Sequence, residues 1–373
     1  MWCIGLFYPV LLYRDFGPPT LLLFTIPNIL GAVFVPWMIK NADSSKIFIR
    51  QHSFACQAFS FITIIFQFYF ILWLVISFRP TKIIILITVL FFLLLFSIRR
   101  RNILTIAIAS FVISLIALIV ILKLSEETFL LSNIKNVSGV TKSIGLFPVF
   151  LIGFFFCPYL DLTFHRVIQE LSSLQAKIVY VIAFPILFLI LLLLGYLYYP
   201  IALRGFFGVL NFSTDIGAQA LYCYMVVQLT FTALAHIHEF SKQEPPRYIW
   251  ILLAFALVIV FAYGFFANGK VFLLGNQMQL REVLYKGFLS VYGLLAPLYI
   301  WVFGVIQPEK FKRFITNYQK WLIWLFFVLL AFPFYVLGFY GNMTKVLPIG
   351  VLLALALPFV VVYLTPVKKE IDV

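Results

Sequence analysis

The chain has 373 residues, of which 64% are hydrophobic and only 11% are charged. Its charges fall in short clusters between long apolar runs, which excludes an ordinary soluble domain and indicates a multi-pass membrane protein. Runs of about twenty residues without strict alternation favour helices over a barrel. The formal charge of +14 is spread over the connections, which argues against a nucleic-acid partner and for orientation against an anionic lipid leaflet.

Charge and proline clusters divide the chain into eleven predicted membrane-spanning helices. Their bounds are 19–39, 52–77, 82–98, 102–122, 144–165, 177–201, 214–238, 248–267, 287–306, 321–341 and 346–365. Ahead of them, Met1–Tyr13 is apolar but only about half as long as the ~20 residues of a span. We interpret it as a half-helix, because it lacks the basic start and the small-residue cleavage site of a signal peptide.

The basic residues predict how these helices are oriented. With Met1–Tyr13 counted as a helix, sixteen of the 27 Lys and Arg residues fall on one side, including Arg99–Arg101 and the tail pair Lys368–Lys369. Cytoplasmic connections carry the excess of basic residues in membrane proteins. The sequence therefore predicts an inner-membrane protein with a cytoplasmic C-terminus.

The stretch 153–167, GFFFCPYLDLTFHRV, predicts a broken helix. Pro158 lacks a backbone donor and its ring clashes with the carbonyl four residues earlier, so carbonyls around Phe154 and Phe155 should be freed. Broken helices at membrane depth are tolerated where they are buried in protein or line a cavity. This stretch is therefore the first candidate site.

Asp161 is the carboxylate that points to function in this stretch. Its side chain is short and cannot easily reach the membrane surface, so its place inside a span is costly. Asp161 and His165 lie one helical turn apart and can share a hydrogen bond or a proton. The alternative is a structural kink at the cytoplasmic end of the span, where Asp161 pairs with Arg166.

The stretch 214–239 is the second candidate site. Polar residues recur in it at a spacing of four and form one stripe, which consists of Gln228, Thr232 and His236. Thr230 lies to one side. The stripe permits an ion site made by hydroxyls and carbonyls, or a metal site using His236, His238 and Glu239, although two histidines two residues apart point to different helix faces. The structural alternative is threonines that bond to their own helix.

Asn28, His52, Gln57 and Gln67 are isolated polar residues within other spans or at their ends, and we interpret them as contacts between helices. The sequence contains no phosphate-binding loop, no nucleophile elbow and no dinucleotide fingerprint. It predicts neither a cofactor nor a metal centre.

Three stretches together resemble the sodium:solute symporters of the LeuT-like (APC) superfamily. They are Gly5–Gly17 with the helix from Pro18, the broken stretch 153–167, and QLTFTALAHIHE at 228–239. In proline-type symporters, a glycine-rich aromatic stretch ending in His–Arg is similar to Gly153–Phe155 and His165–Arg166. The resemblance implies an all-α bundle of two inverted repeats, in which the first helix of each repeat is broken and the substrate binds between the breaks.

The resemblance also assigns the helices within a single integral domain over 1–373. Met1–Tyr13 would be the outer half of core helix one, whose other half is missing from this sequence. The first repeat and the start of the second would occupy 19–201, the rest of the second 214–306, and two additional helices 321–365. The broken segment would then be core helix six, and 214–238 core helix eight.

The implied function is secondary transport of a small solute across the lipid bilayer, coupled to Na⁺ or H⁺. The substrate would bind at the break, to Phe156, Cys157, Pro158, Tyr159 and Asp161. Thr230 and Thr232 would lie near a coupling ion, and Asp161 with His165 would carry a proton if the ion is H⁺.

Two alternatives belong to other classes of protein. One is a membrane-embedded enzyme acting on a lipid-linked substrate, with acid–base groups drawn from Asp161, His165, His236 and Glu239. The other is a non-transporting sensor or assembly partner with the same fold. The enzyme requires its carboxylate and histidines to converge within hydrogen-bond reach at one membrane depth.

Overall fold

A computed structural model describes residues 9, 12–17, 20–97, 103–124, 143–190, 212–266, 269–306 and 316–364. The described chain is almost entirely helical. Its α-helices are, in chain order, α1 Thr20–Met38, α2 Ala42–Gln51, α3 Ser53–Phe78, α4 Lys82–Ser97, α5 Ile103–Leu124, α6 Phe147–Phe156, α7 Leu162–Glu170, α8 Ser173–Ile182, α9 Ile216–Ser241, α10 Arg247–Phe266, α11 Leu280–Ser290, α12 Ala296–Ile300, α13 Asn317–Phe339 and α14 Leu347–Leu364.

Eight of the described helical stretches are long and apolar enough to cross a membrane, and a ninth span results if the bent pair α6 and α7 is counted as one. Each of the eleven predicted spans overlaps a described helix. The prediction of an all-α, multi-pass membrane protein is therefore confirmed. The count of eleven spans and the inverted repeat stay predictions.

Several predicted features lie wholly or partly outside the described residues. They are most of the half-helix Met1–Tyr13, the basic triplet Arg99–Arg101, the end of the span 177–201 and the tail Lys368–Lys369. Of the half-helix region, the structure describes a helical stretch at 12–16. Arg14 in this stretch pairs with Glu282 of α11 at 2.8 Å, and Lys286 lies 3.3 Å from the same carboxylate.

The helices α3 and α9 form the centre of the bundle. In each, 72% of the apolar window is buried; the two pack against each other, and α9 also packs against α5. By contrast, only 17% of the window in α10 is buried. α10 is apolar all round, as expected where one face meets protein and the other meets lipid.

The predicted interruption near Pro158 is confirmed. After α6 the chain forms a 3-10 turn at Cys157–Leu160, and the axis bends by 59° into α7. Close backbone packing holds this break in place. A Cβ atom on Gly31 of α1 would lie 2.1 Å from the Phe154 carbonyl oxygen, and one on Gly153 would lie 3.0 Å from that of Tyr292. Only glycine permits such an approach between helices.

Three π-helical segments occur among the described residues: Trp301–Val305 follows α12, and the other two lie at prolines. Ala183–Phe188, which continues α8, contains Pro185, and Val291–Leu295 lies between α11 and Pro297. Because Pro297 has no N–H, it cannot donate to the Gly293 carbonyl. The hydroxyl of Tyr335 on α13 donates to that carbonyl instead, at 2.8 Å. Local π segments are frequent at functional sites, and sequence analysis did not predict these.

A β-hairpin between α10 and α11 was not predicted either. Strands β1 Lys270–Leu273 and β2 Asn276–Gln279 pair antiparallel, with Lys270 opposite Gln279. Leu274 and Gly275 form the turn, both with positive φ, as a type I′ turn requires. A leucine at such a position carries no turn signal, which is why the hairpin escaped prediction.

Candidate functional site

A cavity of about 270 Å³ lies inside the bundle, between α3, α7, α8, α9 and the π segment Val291–Leu295. Its polar lining comes from Thr63, Gln67, Asp161, Thr163, Tyr180, Thr232, His236 and Tyr292. Its apolar lining comes from Phe59, Phe164, Val167, Val179, Ala183, Phe184, Phe231 and Ala235. The π segments Ala183–Phe188 and Val291–Leu295 and the broken helix border this space. It joins the two stretches that the sequence singled out, since Asp161 belongs to one and His236 to the other.

Asp161 begins α7 at the break. Its backbone is extended, and its Oδ1 accepts hydrogen bonds from the Thr163 backbone N–H at 2.8 Å and the Thr163 hydroxyl at 2.7 Å. Aspartate is a preferred residue at this position because it satisfies a backbone donor that the first helical turn leaves free. The side chain is only 3% exposed. The same carboxylate therefore caps a helix and lines the cavity.

His236 faces Asp161 from α9. Its Nε2 lies 3.8 Å from Asp161 Oδ2, and its Nδ1 lies 3.5 Å from the Ser60 hydroxyl of α3. Both His236 and Asp161 are buried. His236 therefore connects three helices: it lies on α9, faces Asp161 at the start of α7, and contacts Ser60 of α3.

Gln67 projects from α3 and is completely buried. Within the described part of the chain, neither its amide oxygen nor its amide nitrogen has a hydrogen-bond partner. One turn earlier, Thr63 is satisfied, since its hydroxyl contacts the Tyr292 hydroxyl and the Phe59 carbonyl, each at 2.8 Å. An unpaired buried polar group costs about 1–3 kcal/mol. Burial of the Gln67 amide therefore destabilises the protein unless a molecule in the cavity forms hydrogen bonds with it.

A cluster of charged residues lies at the end of the bundle where α7 and α9 terminate. Arg166 contacts Glu239 at 2.5 Å and Glu170 at 2.8 Å, and Lys242 contacts Glu239 at 2.6 Å. A second cavity of about 550 Å³ adjoins this cluster and shares Thr163 with the first. Among the described residues Arg166 pairs with Glu239 and Glu170, so the Asp161–Arg166 pair of the predicted structural kink finds no support.

The His165 ring is held by hydrogen bonds to residues other than Asp161. Its Nε2 donates to the Tyr159 carbonyl at 2.8 Å, so its Nδ1 accepts from the Ser45 hydroxyl at 2.8 Å when the ring is neutral. Ser45 belongs to α2 and also accepts a bond from Gln169. The ring thus joins α2 to the break. A proton relay between Asp161 and His165 stays a prediction.

The predicted substrate residues at the break lie in different surroundings from Asp161. Cys157 is buried and its Sγ contacts the Tyr292 carbonyl at 3.0 Å. The Phe156 ring packs on Trp301, and the Tyr159 ring on Phe48. Pro158 is buried. Of the five predicted residues, Asp161 is the one among the lining residues of the 270 Å³ cavity, and a substrate role for the other four stays a prediction.

The two predicted ion-binding threonines, Thr230 and Thr232, lie in different surroundings on α9. Thr232 lines the cavity, and its hydroxyl donates to the Gln228 carbonyl at 2.8 Å, which is the back-bonding alternative. Thr230 is completely buried, and its hydroxyl has no partner among the described residues. Gln228 bonds to Ser114 of α5. A coupling-ion site at Thr230 and Thr232 stays a prediction.

Sequence analysis did not assign Thr63, Gln67, Tyr180 or Tyr292 to the site, although all four line the cavity. A signal existed for Gln67, because Thr63 and Gln67 are four residues apart on one face of a predicted span. Among the described residues, no three His, Cys, Asp or Glu side chains converge as metal ligands do.

No protein-family model, no curated protein and no solved structure matches this chain. The resemblance to LeuT-like symporters accordingly stays a prediction that rests on the three stretches of sequence.

Proposed function

We propose that this chain is a secondary transporter of a small solute, with the 270 Å³ cavity as its binding site. The observation that supports this most directly is that a broken helix and two π-interrupted helices surround a cavity with a buried carboxylate. Irregular backbone at membrane depth is typical of transporter binding sites. The volume lies just below the about 300–1,000 Å³ of drug-sized ligand pockets, which suits a small solute.

Asp161 supplies the charge to which an ion gradient would couple. An ionisable group inside the membrane is typical of ion and proton pathways, because its cost must be offset by function. In this proposal Asp161 and His236 exchange the coupling proton, or Asp161 with nearby oxygens binds Na⁺. Binding of the ion and of the solute in one cavity would make each depend on the other.

The uptake experiment uses the full chain in proteoliposomes. A defined mixture of radiolabelled amino acids, sugars, nucleobases and vitamins is offered under an imposed Na⁺ or H⁺ gradient. We expect one solute class to accumulate above protein-free liposomes and to stop accumulating when an ionophore collapses the gradient. Accumulation of no class under either gradient would refute the proposal.

A membrane-embedded enzyme is the second candidate, and one contact favours it. Asp161 and His236 bring a carboxylate and an imidazole to 3.8 Å from each other beside a cavity, just outside the direct hydrogen-bond distance of an acid–base pair. Glu239 is bound by Arg166 and Lys242, so the pair would act without it. Conversion of an added lipid-linked sugar or isoprenoid by purified protein, lost in His236→Gln, would favour this candidate over transport.

A further inference from the structure

The amide of Gln67 indicates which hydrogen-bonding groups the ligand must have, which the other residues of the cavity do not. We propose that the cavity binds an uncharged, planar solute with a lactam or carboxamide edge, in which an N–H donor and a carbonyl acceptor lie side by side and pair with Gln67. This inference rests on the proposed function and names its substrate class. Three features of the described residues carry it.

The first feature is the hydrogen-bonding capacity of Gln67. The side chain is completely buried, lines the cavity, and has no partner for either amide atom among the described residues. Exchanging the assigned positions of oxygen and nitrogen would change nothing, because both atoms are unpaired. A ligand that satisfies this amide must accept one hydrogen bond and donate another at adjacent atoms. Lactams, carboxamides and the edges of nucleobases have this pattern.

The second feature is the aromatic lining. Phe164, Tyr180 and Phe184 contact one another with ring centroids 5.5 to 5.8 Å apart. Phe59 and Tyr292 lie edge to face at 5.3 Å on the side of Gln67. Flat solutes gain from stacking or edge contacts with such rings. The rings therefore favour a planar ligand body over a sugar or a flexible chain.

The third feature is the balance of charge. Asp161 is engaged by Thr163 through two hydrogen bonds and faces His236. Arg166 and Lys242 are paired with Glu239 at the end of the bundle. Because the lining of the cavity includes no Lys or Arg, the negative charge of a carboxylate solute would be costly here. A carboxylate compound is therefore disfavoured against its uncharged amide.

The test measures binding to the purified full chain in detergent, with radiolabelled uracil and nicotinamide as the probes. We expect saturable binding of at least one probe. We also expect 1,3-dimethyluracil, which lacks N–H donors, and nicotinic acid, which carries a charge, to compete at least tenfold more weakly than the matching probe. Binding of neither probe, or equal competition by the analogues, would overturn the inference.

Two substitutions test the contact itself. Gln67→Leu removes both polar atoms at similar size and should weaken probe binding at least tenfold, as should Gln67→Met. Gln57→Leu is the matched control, since Gln57 bonds to Ser53 on the same helix and does not line the cavity. The affinity of Gln57→Leu for the probe should stay within twofold of that of the native chain. Unchanged affinity in Gln67→Leu would overturn the inference, and thermal unfolding verifies that each variant is folded.

The outcomes also separate this inference from the transporter proposal. If a solute of another class is taken up and neither probe binds, the substrate class is wrong and transport stands. If a probe binds through Gln67 but nothing is transported, the substrate class stands and transport is wrong. Should a variant fail to fold, the analogue series tests the same contact in the native chain.

Discussion

The Oδ2 atom of Asp161 lies 3.8 Å from Nε2 of His236, and both side chains are almost completely buried. The two residues belong to separate helices, α7 and α9, and meet where α7 begins after the break. Because Asp161 also caps α7, any change in its charge acts on the start of a helix as well as on the cavity. This double role makes the pair the most informative place for mutation.

Replacing Asp161 with asparagine should separate these two roles. Asparagine caps a helix about as well as aspartate, so Asp161→Asn should fold, whereas Asp161→Ala should lose about 0.5–2 kcal/mol of stability with the cap. Gradient-driven uptake should fall at least tenfold in both variants. Asp43→Asn is the control, because the Asp43 carboxylate is 87% exposed on α2. Native uptake by Asp161→Asn would show that the charge has no part in transport.

His236 should act together with Asp161. We expect His236→Gln to reduce uptake and the double variant with Asp161→Asn to be no worse than the poorer single variant, since contacting residues are not additive. The rates of uptake by the three variants and the native chain form the cycle. His238→Gln, two residues further along α9, is the control and should retain native uptake. Additive losses would mean that the two side chains act separately.

The close approach of Gly31 to the break should make this glycine sensitive to substitution. A Cβ atom would lie 2.1 Å from the Phe154 carbonyl oxygen, and backbone cannot move aside as a side chain can. Gly31→Ala should therefore cost about 1–3 kcal/mol, as overpacking does. Gly269→Ala is the control, because nothing lies within 4 Å of its Cβ position. Thermal unfolding in detergent measures both, and equal midpoints would contradict the packing at the break.

His52, at the junction of α2 and α3, should make stability depend on pH. Burial lowers its pKa below the ordinary value of 6.5, and the charges of Lys320 and His165 lower it further. The folded protein then binds fewer protons than the unfolded chain, so the contribution of His52 is present above pH 6.5 and is lost as pH falls below it. Thermal unfolding of the native chain and of His52→Gln, between about pH 8 and pH 5, measures this. Identical pH profiles would rule it out.

The predicted orientation places α2 in the cytoplasm and the β-hairpin outside. In a background carrying both Cys3→Ser and Cys223→Ser, a cysteine at Phe272, which is 74% exposed, should react with an impermeant maleimide in intact cells. A cysteine at Lys46 on α2 should react only after permeabilisation. The opposite pattern would reverse the topology predicted from the basic residues.

The all-α membrane architecture and the break followed from the sequence because both depend on local chemistry. Apolar length decides which segments can cross a membrane, and Pro158 removes a helical hydrogen bond wherever the helix is placed. The contact between Asp161 and His236 did not follow from the sequence. Sequence spacing favoured His165, one turn away, but the ring of His165 bonds to Ser45 and Tyr159, and His236 faces the carboxylate.

Gln67 shows why the rest of the site could not be predicted. An isolated glutamine in a span is ordinarily a contact between helices, and the one neighbour that argues for a polar face is Thr63, one turn earlier. Its importance depends on how α3 is rotated about its axis. Spans that are apolar on every side give no periodic signal for that rotation, because lipid and protein interior accept the same side chains.

The bond from Tyr335 to the Gly293 carbonyl connects a peripheral helix to the cavity wall. Only 33% of the apolar window of α13 is buried, so much of that helix meets lipid, while Tyr335 itself is completely buried. The π segment that this hydroxyl secures also carries Tyr292, which lines the cavity. A tilt of α13 in a thinner or thicker bilayer would therefore pull on the wall of the cavity, so the proposed solute binding should depend on membrane thickness.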